Sequence, residues 1–181
     1  MTGRGGAPPS GSERVTIIVN ISDAQVSADP ADTLVTYSLG SCVGVCLYDP
    51  VTKVGGMLHC QLPTSTMDPE RARQQPAMFA DSGLARLVQL MEARGANKRR
   101  MKVAIAGGAQ VLDKNNVFDI GRRNYAAIRK ALWQHGLFID AEDCGGDAPR
   151  TIYLAVADGT VTCKSRGQTT IMNQQQSRRT A

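Results

Sequence analysis

Two residues of this chain, a cysteine and a histidine, have side chains that together could carry out covalent chemistry. Cys42 follows a Leu-Gly-Ser motif, and His59 stands in the next apolar segment. A thiol with an ordinary pKa of about 8.5 is mostly protonated at neutral pH, so it needs a neighbouring base to become a nucleophile. An imidazole can take that proton and later give it to a leaving group. If the fold brings the two together, the expected chemistry is that of a thiol-dependent hydrolase or acyl transferase.

A predicted β-hairpin would place these two side chains opposite each other. Residues 42–48 and 53–60 both alternate like strands, and the Asp-Pro pair that begins at Asp49 favours a type I turn between them. A hairpin centred on that turn pairs Cys42 directly with His59. Directly opposed residues share a face of the sheet, with Cβ atoms about 4.5–5.5 Å apart.

The same register assigns every side chain of the hairpin to a face. Val43 and Val45 fall on an apolar side suited to a core, whereas Gly44 and Cys46 lie on the site face and are small enough to leave room for a substrate. A single bulge would exchange the two faces. The alternative is that the cysteine is a buried small apolar residue and the histidine an ordinary strand residue, since free cysteines are usually buried.

Length and composition indicate one globular domain. The chain has 181 residues, of which 42% are hydrophobic and 20% charged, which is ordinary for a protein with a single core. No apolar run approaches the roughly 20 residues that cross a bilayer, and the first residues lack the apolar centre of a signal peptide. We therefore expect a cytoplasmic protein without direct membrane insertion.

The cysteines do not have the spacing of a metal site or a disulfide framework. There are five cysteines, an odd number, and none belongs to a CxxC pair. A zinc site built from Cys42, His59 and Cys60 would need neighbouring strand residues that point to opposite faces. We expect no metal, and the thiol chemistry requires no cofactor.

The net charge of +5 bears on which class of molecule the protein binds. Basic residues gather at 94–102 and 122–130, but aromatic residues make up only 4% of the chain, and stacking aromatics usually accompany a nucleic-acid surface. If these basic residues bind a partner, an acidic protein is the more economical interpretation. The simpler alternative is that they are solvated residues at helix ends and in loops. We expect no nucleic acid, a question that the salt dependence of binding would decide.

The chain divides into a folded body and two polar ends. Residues 1–14 are rich in Gly, Pro, Ser and Arg, and residues 172–181 are polar, so both are expected to be disordered around a catalytic domain at 15–171. Periodicity predicts the following further elements: strands at 15–21, 34–38, 101–106, 137–141, 151–157 and 161–164, and helices at 77–94 and 122–135. This order predicts a layered α/β sandwich with a mixed sheet.

A Gly-Gly-Ala motif at Gly107 ends one strand. It is no phosphate-binding loop, and a tight strand exit near the site is the expected role.

Several motifs together resemble the CheD family of chemoreceptor glutamine deamidases. They are Thr36-Tyr-Ser-Leu-Gly-Ser-Cys42-Val-Gly-Val-Cys-Leu-Tyr-Asp-Pro50, Gly55-Gly-Met-Leu-His59, Leu62-Pro63, Gly107-Gly-Ala109, Ile120-Gly-Arg-Arg-Asn124 and Asp143-Cys-Gly-Gly146. They occur in the order of the family and extend over residues from about 15 to 165.

The resemblance implies a fold similar to the catalytic domain of cytotoxic necrotizing factor toxins and an active site of Cys42, His59 and Thr36. Cys42 would be the nucleophile, His59 the base, and Thr36 the residue that orients the histidine. The implied activity is that of a protein-glutamine glutaminase in bacterial or archaeal chemotaxis, acting on glutamines in the cytoplasmic domains of chemoreceptors. Some glutamyl methyl ester hydrolysis and association with a CheC-type phosphatase are also implied.

A second hypothesis stays open. The protein could be mainly a non-catalytic regulator that binds receptors or a CheC-type phosphatase. The presence of Cys42, His59 and Thr36 favours the enzyme, because a scaffold needs no reactive thiol.

Overall fold

Two stacked β-sheets and a layer of helices make up the fold. The computed structural model describes residues 14–110 and 119–173. The strands are β1 (Thr16–Ile18), β2 (Asp23–Ser27), β3 (Thr33–Leu39), β4 (Val43–Asp49), β5 (Val54–Cys60), β6 (Lys102–Gly107), β7 (Ala141–Cys144), β8 (Arg150–Ala155), β9 (Val161–Ser165) and β10 (Gln168–Ile171). The α-helices are α1 (Pro69–Gln74), α2 (Ala80–Ala93) and α3 (Ile120–Gln134).

Each sheet has five strands and mixes parallel with antiparallel pairs. The first sheet has the order β1-β3-β8-β9-β10, and the second has the order β2-β5-β4-β6-β7. β1 runs parallel to β3 and β6 runs parallel to β7, while the other pairs are antiparallel. The prediction of a layered α/β sandwich with mixed strands is confirmed, with two sheets in place of one.

The central hairpin of β4 and β5 is buried on both sides. All of its strand residues are buried. One face packs on α2 and α3, where Leu84 and Ile128 belong to the same apolar cluster as Val45. The other face packs on the first sheet, where Leu39 and Ile152 belong to the second cluster. The hairpin, which begins directly after Cys42 and contains His59, is therefore held from two directions.

The face expected to hold a substrate is instead filled by the first sheet. A Cβ atom at Gly44 would lie 2.8 Å from side-chain carbons of both Leu39 and Ile152. Cys46 is 1% exposed in the same layer. The expectation that small residues at these two positions leave room for a substrate is wrong, because their size lets the two sheets approach each other.

The helices begin and end close to their predicted limits. α2 begins at Ala80 and not at residue 77, because Pro76 starts a separate 3-10 turn, Pro76–Met78. α3 begins two residues before its predicted start. After α3, Gly136 adopts a φ of 69°, and the N–H of Leu137 donates to the carbonyl of Leu132 at 2.9 Å, which ends the helix.

Short edge strands account for most of the errors in the predicted elements. The strand predicted at 137–141 is wrong: those residues lead into β7, which begins only at Ala141 and pairs with β6. β2 and β10 were not predicted, because their residues are largely polar and lack an apolar alternation. β1 is shorter than predicted, and Ser22 turns the chain into β2 with a φ of 59°.

The predicted ends fall mostly outside the described residues. Residues 1–13, 111–118 and 174–181 lie there, so the division into a folded body and two disordered ends stays a prediction. Met172 is 7% exposed and its N–H donates to the carbonyl of Val161, so this residue contacts β9. Among the helices of the described ranges, none is both long and apolar enough to span a bilayer.

Candidate active site

The register of the central hairpin differs from the prediction by two residues. Gly44, not Cys42, lies opposite His59, and Val43 lies opposite Cys60. The last pair at the turn is Asp49 with Val54, so four residues form the turn in place of two. Because the side-chain alternation has a period of two, this shift leaves each side chain on its predicted face.

Cys42 stands directly before the first residue of β4. Continued by one step, the ladder would set Cys42 diagonally across from His59, a relation in which the two backbones lie about 7–8 Å apart. Cys42 is partly exposed and packs against the cluster between the sheets, the layer into which His59 also points. The prediction of direct opposition is wrong, and both side chains lie in the layer between the sheets at the open end of the hairpin.

Thr36 holds the ring of His59 from the first sheet. The two atoms Thr36 Oγ1 and His59 Nδ1 lie 2.7 Å apart, and Thr36 Oγ1 also lies 2.7 Å from the carbonyl oxygen of Val19. A carbonyl only accepts, so the single hydroxyl proton is donated to Val19, and the hydroxyl must accept a proton from Nδ1. Neutral His59 therefore carries its hydrogen on Nδ1 and a lone pair on Nε2. Thr36 and His59 are 0% and 4% exposed, which keeps water from competing for these bonds.

A bulge in β3 aims Thr36 at the histidine. β3 pairs with β8 so that Thr36 faces Ile152 and Leu39 faces Arg150, which leaves two residues of β3 opposite one of β8. Ser38 in the bulge adopts a left-handed φ of 55°. Such a bulge re-aims the side chains on either side of it. Thr36 and Leu39 thus both point inward, although they are three residues apart.

The segment that carries Cys42 is braced by the glycine motif after β6. Gly108 N–H donates to the carbonyl of Cys42, and Ala109 N–H donates to the carbonyl of Gly40, both at 2.8 Å. Gly107 has a φ of 111°, and a Cβ atom there would collide with the Cys42 carbonyl oxygen. The predicted role of this motif, a tight strand exit near the site, is confirmed.

Asn124 of α3 contacts both segments of the site and was not assigned a role from the sequence. Its Nδ2 atom donates to the carbonyl oxygens of Ser41 and Gln61, each at 2.9 Å. The side chain is fully buried. The signal that could have revealed it is a polar residue four positions before Ile128, on the inward face of an otherwise amphipathic helix.

Burial keeps the thiol and the imidazole in their neutral forms. It lowers the pKa of His59 from 6.5 to about 4. Burial also raises the pKa of Cys42, an effect that its own backbone N–H partly offsets. At neutral pH the pair is therefore a thiol beside a neutral imidazole. Nε2 of His59 is buried and has no hydrogen-bond partner within the described residues, so its lone pair is free to accept a proton.

Burial raises the thiol pKa of each of the other four cysteines. Burial raises the pKa of Cys60, Cys144 and Cys163 to about 12. Cys46 is fully enclosed, and its pKa is raised as well. Across residues 14–110 and 119–173, no three His, Cys, Asp or Glu side chains come together as metal ligands.

Comparison with known proteins decides the family. The family model described as "CheD chemotactic sensory transduction" matches residues 61–165. The chain is 47% identical to the "Probable chemoreceptor glutamine deamidase CheD" of Solibacter usitatus, a match over 152 residues that covers 84% of this chain and 90% of the relative. The corresponding "CheD 1" of Syntrophus aciditrophicus is 46% identical, covering 83% of this chain and 94% of the relative. The chain belongs to the CheD family.

The match to the CheD relatives extends to the candidate site. A matched stretch of 152 residues in a chain of this length necessarily spans Thr36, Cys42 and His59. Among solved structures, Neisseria meningitidis protein NMB0706 is 11% identical, with a TM-score of 0.43 over 72% of this chain and 63% of that chain. Bacillus licheniformis hypothetical protein YfiH is 14% identical, also with a TM-score of 0.43, over 77% of this chain and 61% of that chain. These two likenesses are too distant to carry an argument, and the toxin-like fold stays a prediction.

Proposed function

We propose that the chain is a chemoreceptor glutamine deamidase in which Cys42 is the nucleophile and His59 the base. One observation carries this proposal: the hydroxyl of Thr36, bound to Val19, accepts a hydrogen bond from Nδ1 of His59, which leaves Nε2 buried with a lone pair that has no partner among the residues that the structure describes. Most buried polar side-chain atoms have a hydrogen-bond partner, so an open Nε2 suits a nitrogen that takes up and releases a proton. An imidazole in this state is the base that a neighbouring protonated thiol requires.

The reaction begins with transfer of the Cys42 thiol proton to His59 Nε2. The sulfur attacks the side-chain carboxamide carbon of a substrate glutamine, and a tetrahedral intermediate forms. The carbon–nitrogen bond then breaks as the imidazolium gives its proton to the departing ammonia. A thioester between Cys42 and the glutamyl side chain remains.

Water completes the cycle. His59 Nε2 takes a proton from the water as its oxygen attacks the thioester carbon. The carbon–sulfur bond breaks, glutamate leaves, and the imidazolium returns its proton to the Cys42 sulfur. The sum is glutamine plus water giving glutamate plus ammonia, and no cofactor enters the balance.

Thr36 and the backbone before β4 have supporting roles. Hydrogen bonding from Nδ1 to Thr36 stabilises the imidazolium that forms in each half-reaction, since the Nδ1 proton becomes more acidic when the ring is charged. The backbone N–H of Cys42 lies close enough to its own sulfur to affect the thiol pKa. We infer that N–H groups of this segment bind the oxyanion of the tetrahedral intermediate.

The substrate proposal follows the relatives. Their names describe chemoreceptor glutamine deamidases, which supports receptor glutamines as the substrate of this chain. We propose that the protein works in the cytoplasm on the receptor's cytoplasmic domain and that a CheC-type phosphatase is a further partner. The net charge of +5 favours an acidic protein surface over a neutral one.

Peptide mass spectrometry on a receptor cytoplasmic fragment tests the activity. The fragment is incubated with the unaltered protein or with Cys42→Ala, and released ammonia is measured alongside the mass of each glutamine-containing peptide. A gain of about 1 Da at particular glutamines, matched by ammonia and seen only with Cys42 present, is expected from the chemistry. A fragment that binds but is never deamidated would overturn the enzyme and leave the regulator hypothesis.

A further inference from the structure

The backbone ladder of the central hairpin ends one residue short of the nucleophile. The last pair of β4 and β5 is Val43 with Cys60. Beyond it, the segment that carries Cys42 is bonded on its other side, where the carbonyl of Cys42 accepts from the N–H of Gly108 and continues the pairing of β4 with β6. Within the described residues, the ladder of β4 and β5 has no pair that joins Ser41 or Cys42 to Gln61.

The side chain of Asn124, on α3, connects these two segments from outside the sheet. Its side-chain amide donates one proton to the carbonyl of Ser41, the residue before the nucleophile, and the other to the carbonyl of Gln61, two residues after the base. Both donor–acceptor distances are 2.9 Å, which is the centre of the range for N–H···O bonds. One planar group thus ties the two segments together beyond the last pair of the ladder.

The orientation of this amide is set by its partners. Both protons of Nδ2 are used on carbonyl oxygens, so the flipped amide would put Oδ1 against two other acceptors. In the observed orientation Oδ1 is buried and has no partner within the described residues. An unpaired buried acceptor opposes this orientation, so the two bonds of Nδ2 are what hold the amide in place.

We propose that Asn124 is a positioning residue that sets the separation between Cys42 and His59. This inference rests on the proposed function, since it concerns the same pair. Loss of the amide would leave the Ser41 carbonyl without this donor and let the Cys42 segment move relative to Nε2 of His59. A displacement of about 1 Å at a reacting pair lowers the rate by about 10²-fold.

The test compares the pH dependence of Cys42 alkylation in three proteins. Iodoacetamide reacts with the unaltered protein, with Asn124→Ala and with Ile128→Val, and peptide mass spectrometry follows the Cys42 peptide. Ile128 lies one turn further along α3 and is fully buried in the apolar cluster, so its variant loosens the same helix and leaves the Asn124 amide in place. This readout needs no receptor.

With His59 Nε2 in reach, the alkylation rate of Cys42 is expected to change little between pH 6 and pH 8, because the imidazole stays neutral and assists throughout. Without that assistance the rate follows the thiolate fraction and rises about tenfold for each pH unit. We expect the shallow profile in the unaltered protein and in Ile128→Val, and the steep profile in Asn124→Ala. Deamidation by Asn124→Ala should show kcat lowered about 10²-fold with KM changed less than about twofold.

The outcomes separate the two proposals. A shallow profile in both the unaltered protein and Asn124→Ala would overturn the positioning role alone. A steep profile in the unaltered protein would overturn His59 as the base and the positioning role with it. Shallow and steep profiles as expected, in a protein that never deamidates receptors, would support the positioning role while contradicting the substrate. Should Asn124→Ala not fold, Asn124→Ser, whose single hydroxyl proton reaches at most one carbonyl, is judged by the same profiles.

Discussion

The hydroxyl of Thr36 stands between an acceptor and a donor: it lies 2.7 Å from the carbonyl oxygen of Val19, to which it donates, and 2.7 Å from Nδ1 of His59, from which it accepts. Since it owns one proton, these two distances determine where the hydrogen of the neutral imidazole resides. The first sheet thereby selects the tautomer of a histidine that belongs to the second sheet. The contact between the two sheets therefore sets the protonation of the ring in the candidate active site.

Replacing Thr36 by Val should disable the histidine without removing bulk. The isosteric side chain cannot accept from Nδ1, so the ring loses its orientation and both Nδ1 and the Val19 carbonyl lose a partner. We expect kcat to fall about 10–10²-fold and the free energy of unfolding to fall by about 1–3 kcal/mol. Thr36→Ser keeps the hydroxyl and should retain most of the activity. Equal loss in both variants would show that the hydroxyl is not the relevant group.

The acid limit of the activity should reflect the buried imidazole. Burial lowers the pKa of His59 to about 4, so the base stays unprotonated well below its ordinary value of 6.5. The expected profile of kcat/KM for deamidation is flat from pH 7 to about pH 5 and falls only as the pH approaches 4. A decline centred near pH 6.5 would contradict the neutral, buried state of the ring.

The same pKa makes the folded state less stable in acid. Between pH 6.5 and pH 4 the unfolded chain binds a proton on His59 that the folded chain does not, so the free energy of unfolding falls as the pH falls through that range. The full difference is about 3 kcal/mol. Urea unfolding of the unaltered protein and of His59→Gln at pH 7 and pH 4.5 measures it, because only the unaltered protein contains this term. If the free energy of unfolding fell equally in the two proteins between pH 7 and pH 4.5, the lowered pKa of His59 would not be the cause.

Among the cysteines, only Cys42 should be needed for turnover. Cys42→Ala removes the nucleophile and is expected to abolish deamidation with little change in folding, because its side chain is partly exposed. Cys144→Ala is the matched control, since Cys144 is also partly exposed but lies on β7. Ammonia release by both variants, with urea midpoints for each, gives the comparison. Turnover lost in Cys144→Ala and kept in Cys42→Ala would mean that the nucleophile is misassigned.

An alanine at Gly107 should displace the nucleophile. Gly107 has a φ of 111°, and its added Cβ would collide with the carbonyl of Cys42, whereas Gly95, with a φ of 87°, has nothing within 4 Å of such an atom. Gly95→Ala thus carries the backbone strain without the collision. We expect both variants to lose stability, of order 1 kcal/mol for Gly95→Ala, and only Gly107→Ala to lose most of its kcat. Comparable kcat values in the two variants would contradict the role of the glycine motif in holding the segment that carries Cys42.

The hairpin itself was predictable from local signals, but its register was not. Alternation identified β4 and β5 and the correct face of each residue. The Asp49 carboxylate accepts from the N–H of Val51 within the turn, as local preferences expect, and it also binds the side chain of Arg100 and the N–H of Asn97, both far along the chain. Both registers keep the same faces, so alternation could not distinguish the observed four-residue turn from the predicted two-residue turn.

The site was predictable in its residues and not in its construction. The resemblance to the CheD family named Thr36, yet no spacing in one sequence shows that a strand of a second sheet lies over His59. The room expected beside Gly44 was wrong for the same reason, because the first sheet fills it. The role of Asn124 was not predicted, because a single buried amide on a helix has no sequence signature until its acceptors are known.

Nitrogen-15 NMR of the two imidazole rings tests the central claim most directly. The chain contains only two histidines, so a His135→Gln variant leaves the ring of His59 as the sole signal. Long-range proton–nitrogen correlation at pH 7 distinguishes a protonated nitrogen from one with a lone pair. The expected result is a neutral ring with its hydrogen on Nδ1 and a bare Nε2. A hydrogen on Nε2, or a charged ring at pH 7, would contradict His59 as the base that activates Cys42.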